Sequence, residues 1–179
     1  MVYLFLADGF EEVEALTVVD VLRRAGVTIK TVSIMKDLTV TGVHGVAVVA
    51  DELFEDADCV QCEMLILPGG GPGTERLSAH AGLKTALTDF AAANKRIAAI
   101  CAAPAVLARS GLLKGKKATV YDGMEDELAE ADYVKEDVVI DGKIITSRGP
   151  GTAMPFALTL AGLLAGDAVA GKVRSDMLF

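Results

Sequence analysis

Basic charge is scarce in this chain. There are 17 Lys and Arg against 25 Asp and Glu, a formal net charge of −8 and a pI near 4.7. That balance argues against nucleic acid as a partner, because phosphate neutralisation needs clustered Lys and Arg, and against docking on anionic membranes. Long apolar runs are missing too, and none could span a bilayer without interruption. Met1–Ala7 is apolar but short, has no basic leader and ends at Asp8-Gly9, so it is expected to be a strand rather than a signal peptide. Cysteine occurs only at positions 59, 62 and 101. With no export signal, the expectation is a reducing cytoplasm and no disulfide framework. Charge blocks, Pro/Ser-rich linkers, low-complexity tracts and internal repeats are also absent. The 179 residues, 52% hydrophobic and 23% charged, therefore read as one domain over 1–179 with a sizeable core.

The apolar pattern that is present alternates between two periods. Val2–Leu6, Ile29–Ile34, Met64–Leu67 and Ile97–Ile100 are short apolar runs of the kind found in strands buried on both faces. Ala118–Tyr121 is expected to be a further strand. Leu38–Val40 with Val46–Ala50, and Val138–Ile140 with Ile144–Ser147, read as hairpins, the second turning at Asp141-Gly142. Helical spacing runs over Glu12–Ala25, with Val13, Leu16, Val19, Val21 and Leu22 as candidate core contacts and Gly26 as the stop. Leu83–Ala93 and Pro104–Arg109 are also helical, and Ala153–Ala165 is apolar around most of its circumference. Alternating strands and helices predict an α/β sandwich, a mainly parallel sheet with helices on both faces and a small hairpin. Sites in such sheets form outside the carboxyl ends of the strands. Three stretches converge there: the turn after Leu6, the glycine run Pro68–Gly73 after Leu67, and Cys101 after Ile100.

Cys101 stands where a buried strand turns into Ala-Ala-Pro and a helix. A helix start offers a favourable dipole and free N–H groups, which lower a thiol's pKa. A sharp strand-to-helix turn also lifts the side chain out of the sheet. The same position suits a small buried hydrophobe, a role free cysteine often takes. The glycine run sits at the same end of the sheet, where its N–H groups could form an oxyanion hole. No Lys-Ser/Thr pair follows it, so a phosphate loop is a poor alternative. A thiol enzyme also needs a proton carrier. His44 falls in the hairpin turn and His80 in a polar loop, and both are expected to be solvated. Glu11, Glu12 and Glu14 remain, and a helix starting there would aim one of them toward Cys101. The others complement the helix dipole.

Four stretches together carry a family resemblance over essentially the whole chain: ADGFEEVEALTVVDVLRRAG at Ala7–Gly26, LILPGGGPG at Leu65–Gly73, AAICAAPAVLA at Ala98–Ala108, and TSRGPGTAMPFAL at Thr146–Leu158. In this order they resemble the DJ-one/ThiJ/PfpI superfamily, in its DJ-one/ThiJ-like branch. The resemblance implies a flavodoxin-like fold, a homodimer, and Cys101 as a reactive cysteine in a strained backbone. It implies Glu14 as the acid against the sulfur, protonated much of the time because two bare anions would repel. It also implies Gly70 and Ala102 as amide donors, with Gly69 adjoining, and Gly149 and Pro150 as supporting residues. Ala102 stands where protease-like branches carry histidine, which argues against a peptidase. An ungapped match puts Tyr121 where some members have a pocket histidine. Tyrosine donates a hydrogen bond but is a poor base at neutral pH, so Glu14 must carry more of the proton traffic.

The branch is associated with glyoxalase III-type conversion of methylglyoxal to lactate without glutathione, with protein deglycation, with oxidation sensing through a cysteine sulfinate, and with chaperone-like holding. The resemblance therefore supports an enzyme acting on small 2-oxoaldehydes, with no metal or organic cofactor. The alternative is an oxidative-stress sensor or protective protein that works through sulfinate at Cys101. A thiol that is merely inert is the third reading. Cys59-Val60-Gln61-Cys62 lacks a second CxxC and a nearby histidine, so it does not close a zinc site and reads as incidental. Glu125, Asp126, Glu127 and Glu130 read as a solvated face.

Overall fold

Two periodicities, alternate residues in the strands and one stripe per helix, account for the architecture. The computed structural model describes residues 1–179. In chain order the elements begin with β1 (Val2–Leu6), α1 (Glu12–Arg24), β2 (Ile29–Ser33), the hairpin β3 (Thr39–Thr41) and β4 (Ala47–Val49), and β5 (Glu52–Leu53). Next come β6 (Met64–Leu67), α2 (Gly71–Ala79), α3 (Ala81–Ala92), β7 (Arg96–Ile100) and α4 (Pro104–Arg109). The chain closes with β8 (Lys117–Ala118), β9 (Asp132–Tyr133), the hairpin β10 (Val138–Asp141) and β11 (Ile144–Ser147), α5 (Ala153–Ala165) and α6 (Asp167–Asp176).

Seven strands form one sheet in the order β10-β11-β7-β6-β1-β2-β5. All neighbours pair in parallel except the edge strand β10, which is antiparallel to β11. Val2, Leu4 and Leu6 of β1 pack with Val18 and Leu22 of α1 and Phe156 and Leu160 of α5 on one face. Tyr3 and Phe5 pack with Leu77 of α2, Leu83 and Leu87 of α3, and Leu107 of α4 on the other. Each such side chain, once fully buried, contributes roughly 1.5–3 kcal/mol. This is the flavodoxin-like three-layer sandwich expected from the sequence. The chain passes from β1 to β2 in one direction and from β6 through β7 to β11 in the other. The switch point therefore lies between β1 and β6, where α/β sheets open a crevice for ligands.

Three local expectations are corrected. Val13 and Leu16 are 51% and 41% exposed. Val19, Val21 and Leu22 are buried as expected, and Glu14, Ala15 and Val18 join them on the inward side. The predicted strand Ala118–Tyr121 shrinks to Lys117–Ala118. The N–H of Thr119 goes to Thr146 Oγ1 at 2.9 Å and that of Tyr121 to the Cys101 carbonyl at 2.9 Å, leaving no ladder to extend. The glycine run does not stay a loop. From Gly71 it winds into α2, with Pro72 in the first turn where no N–H is needed.

Candidate active site

Cys101 follows directly on β7 with φ at 65°, one of four non-glycine residues with a positive φ. That conformation costs a non-glycine residue about 1 kcal/mol or more and persists only where neighbours fix it. Here both sides are fixed. The Cys101 N–H donates to the Ser147 carbonyl at 2.9 Å, and the Cys101 carbonyl accepts from the Tyr121 N–H at 2.9 Å. Ser147 is tied in turn by its hydroxyl to the Asp137 carbonyl and to Thr152 Oγ1, each at 2.7 Å. The Gly149 N–H donates to Thr152 Oγ1 at 3.1 Å. Arg148 binds Asp122, next to Tyr121, at 2.9 Å. Helix α4 begins at Pro104, as expected, three residues past the sulfur.

Glu14 comes to the sulfur from the opposite side. It is fully buried on α1, and its Oε2 accepts the Gly69 N–H at 2.7 Å. Its other oxygen, Oε1, has no conventional hydrogen-bond partner. The carboxyl group and Cys101 both flank Gly69, and each shifts the other's titration. Burial pushes the Glu14 carboxyl up to about 7, against the Gly69 N–H and the Cys101 contact, which pull it down. Burial, followed by the Glu14 carboxylate, pushes the Cys101 thiol up to about 12, while the N–H groups of Gly70 and Ala102 pull it down. The lowered thiol expected from position alone is thus corrected: beside an ionised Glu14 the sulfur keeps its proton. Each anion opposes formation of the other, so the carboxyl and the thiol titrate as a coupled pair.

The glycines are where side chains have no room. A methyl group on Gly69 would lie 2.6 Å from Cys101 Cβ and 2.7 Å from Glu14 Oε2. Gly70, at φ 90°, closes the turn, and a side chain there would overlap the Gly9 carbonyl. The Glu11 N–H donates to the Gly69 carbonyl at 2.9 Å, which locks the start of α1 onto this loop.

Above the sulfur is a cavity of about 370 Å³. Cys101, Ala102, Gly70, Tyr121 and Pro150 line it, together with Gly71, Met124, Glu11, Val43 and His44. Glu14 and Gly69 lie behind it. Gly149 lies beside it under Tyr121, where a methyl group would sit 3.2 Å from the ring. Every residue assigned from the sequence therefore lies in or against one site.

The sequence reading missed His44. It is solvated as expected, with its side chain 70% exposed, but the β3–β4 turn also folds over the start of α1. The Val43 N–H donates to the Phe10 carbonyl at 2.8 Å, and the His44 and Val46 N–H groups donate to Glu12 Oε1 at 2.8 and 3.3 Å. His44 Nδ1 then meets Glu12 Oε2 at 2.9 Å and Glu11 Oε2 at 3.7 Å. The three donor groups lie within 4.8 Å of one another, a spacing that a divalent cation could bridge. Because Nδ1 and Oε2 are closed on each other by a hydrogen bond, we assign a hydrogen-bonded dyad rather than metal ligands. Burial would raise Glu12, but the hydrogen bonds from His44 and from backbone N–H groups outweigh it and hold the carboxyl below its ordinary value. The hydrogen bond to Glu12 and the nearby Glu11 charge raise His44. The single hint in the sequence was a glycine-flanked histidine in a hairpin turn.

His80, also expected to be solvated, is structural. Its Nδ1 accepts the Leu83 N–H at 3.0 Å to cap α3, and its ring meets Phe54 at 4.5 Å. Cys59 and Cys62 are free thiols beside a one-turn helix. Burial raises both, Cys62 to about 12.

The fold and this site define a protein of the α/β class with a cysteine at a strand end and an acid sealed behind it. The chain belongs to the DJ-1/PfpI family, whose match covers residues 1–162. It is 40% identical over 156 residues to DJ-1 homolog B of Arabidopsis thaliana, covering 87% of this chain but only 36% of that longer protein. A Pyrococcus abyssi protein named a deglycase is 35% identical over 153 residues, covering 84% of this chain and 90% of that one. The solved structure of oxidized Toxoplasma gondii DJ-1 superposes with a TM-score of 0.95 at 37% identity, covering 99% of this chain and 97% of that one. No helix is long and apolar enough to cross a membrane.

Proposed function

We propose that the chain is a cofactor-independent cysteine enzyme acting on 2-oxoaldehydes, of the glyoxalase III type, with protein deglycation as the same chemistry on an early glycation adduct. One observation carries the reading: a sulfur held at φ 65° in a cavity also lined by Gly70 and Ala102, whose amides lower the thiol, with a sealed carboxyl behind it. With the proton on Glu14, the sulfur is a thiolate. The thiolate adds to the aldehyde carbon of methylglyoxal, and the carbonyl oxygen takes up a proton to give a hemithioacetal. Glu14, returned to its carboxylate, takes the proton from that carbon and delivers it to the neighbouring one through an enediol. The product is a lactoyl thioester, whose oxyanionic forms the Gly70 and Ala102 amides stabilise. Water hydrolyses the thioester, so that methylglyoxal plus water becomes lactate plus a proton and Cys101 is restored. The Pyrococcus relative's name supports a reactive carbonyl substrate.

We read the protein as a single domain over 1–179, cytoplasmic, and without metal, organic cofactor or nucleic-acid partner. It works as a homodimer. Val13 and Leu16, exposed on α1, with Val46 just before β4 and Val49 at its end, supply the apolar face for a second copy. A monomer mass in sedimentation at micromolar concentration would sink the dimer.

The test is lactate formed from methylglyoxal, without glutathione, by the wild type, Cys101→Ser and Glu14→Gln. Turnover in the wild type alone is expected; equal inactivity in all three removes the enzyme. The second reading, a sensor in which peroxide carries Cys101 to sulfinate, rests on the same two amides facing the sulfur. Peroxide titration with mass detection of a sulfinate at Cys101, in a protein without turnover, would favour it.

A further inference from the structure

The cavity holds a second proton-handling group that the chemistry above does not use. We propose that His44, held by Glu12, is the base that activates water for hydrolysis of the acyl-Cys101 intermediate. The inference rests on the enzyme reading and extends it to the step that releases product.

The geometry separates two proton positions. Glu14 is fully buried behind the sulfur and suits a proton that moves between two carbons of one bound substrate. The His44 side chain is 70% exposed and lines the cavity, where water enters. Its Nδ1 is committed to Glu12 Oε2 at 2.9 Å, which fixes the ring and leaves Nε2 as the free nitrogen. Glu12 is itself held by two backbone N–H groups and starts a 13-residue helix, so the dyad stands on a rigid element.

The charged and titratable groups around His44 are Glu12 and Glu11 from α1, Cys101 at the end of β7 with Glu14 behind it, and Tyr121 from the loop after β8. No lysine or arginine lines the cavity. A proton on His44 is therefore opposed by no fixed cation and is favoured by two carboxylates.

In the step itself, Nε2 takes one proton from water as the hydroxide oxygen bonds to the thioester carbon. The tetrahedral intermediate collapses, the carbon–sulfur bond breaks, and its electrons leave on Cys101 as thiolate. The lactic acid formed gives its proton to solvent, and so does the imidazolium. The returning Cys101–Glu14 pair takes up the one proton it needs.

The experiment compares the wild type with His44→Gln and Glu12→Gln on methylglyoxal without glutathione. For His44→Gln the expected result is a fall in kcat of about 100-fold with little change in KM. Hydroxylamine quenching should then trap lactoyl hydroxamate from the accumulated thioester. Alkylation of Cys101 by iodoacetamide should keep its wild-type rate. Glu12→Gln should lose less, because Gln Oε1 still accepts the two N–H groups. In the wild type kcat should rise with pH through the histidine, and that limb should be missing in His44→Gln. Added imidazole should restore part of the turnover of His44→Ala.

Wild-type kcat in His44→Gln overturns the proposal. So does a fall in alkylation rate in step with kcat, which marks a structural role. Loss of wild-type turnover in EDTA with recovery on zinc would also overturn it, by making the cluster a metal site. A wild type that forms no lactate removes the enzyme reading and this inference with it. An active wild type with an unaffected His44→Gln removes this inference alone.

Discussion

Glu12 and Glu14 sit two residues apart in the first turn of one helix, and both are buried. Glu12 points at a hairpin turn, receives two N–H groups and a histidine, and is held below the ordinary carboxylate range. Glu14 points at a sulfur, receives one N–H group, and is pushed up to about 7. Burial is common to both. The difference is the number of donors supplied to each, which decides whether a buried acid stays ionised or keeps its proton. One turn of helix thereby provides a fixed anion at the cavity rim and an exchangeable proton behind the sulfur.

Removing the odd member of the pair should have the largest effect. Glu14→Gln is expected to cut turnover by about 100-fold or more. It should also change how stability depends on pH. The Glu14 carboxyl titrates near 4.5 when unfolded and near 7 in the fold, so its contribution is complete below pH 4.5 and is lost as the pH rises through 7. Denaturant unfolding between pH 4 and 8 should therefore show a decline, at most about 3 kcal/mol, that the glutamine variant lacks.

Gly69→Ala presses on the same pair from outside. Its methyl group would contact both Cys101 and Glu14 Oε2, and an unfolding free energy lower by about 1–3 kcal/mol is expected, together with slower alkylation of Cys101. Glu12→Gln makes the two acids more alike. It should cost about 1 kcal/mol at neutral pH. Glu12 is lowered in the fold, so its contribution is present above the ordinary 4.5 and fades as the pH falls through its native value. The variant should thus converge with the wild type in acid. The smallest effect concerns the strained backbone alone: Cys101→Gly should be more stable than Cys101→Ala by about 1 kcal/mol, because glycine accepts φ 65° without penalty.

How far this contrast was legible in the sequence depends on chain separation. The strands were readable as short apolar runs, and their order brought Leu6, Leu67 and Ile100 to one edge. Cys101 at a strand end and the glycines after Leu67 were visible for the same reason, and the quoted stretches singled out Glu14. The Glu12–His44 contact joins residues 32 apart, through a hairpin whose landing place no local pattern encodes. The outward direction of Val13 and Leu16 was not legible, because helical spacing of apolar residues does not show which of them the neighbouring elements cover. The raised thiol was not legible because it depends on the burial of the sulfur with Glu14 beside it.

The most direct test of the central claim is a carbon-13 NMR titration of the Glu14 carboxyl, with the Gly69 amide followed in the same samples. The account requires a midpoint near 7, with the Gly69 N–H resonance moving in step because it binds Glu14 Oε2. A midpoint near the ordinary 4.5 would mean that Glu14 is ionised throughout the neutral range. It would then have no proton to give up, and the thiolate and proton shuttle built on it would fail together.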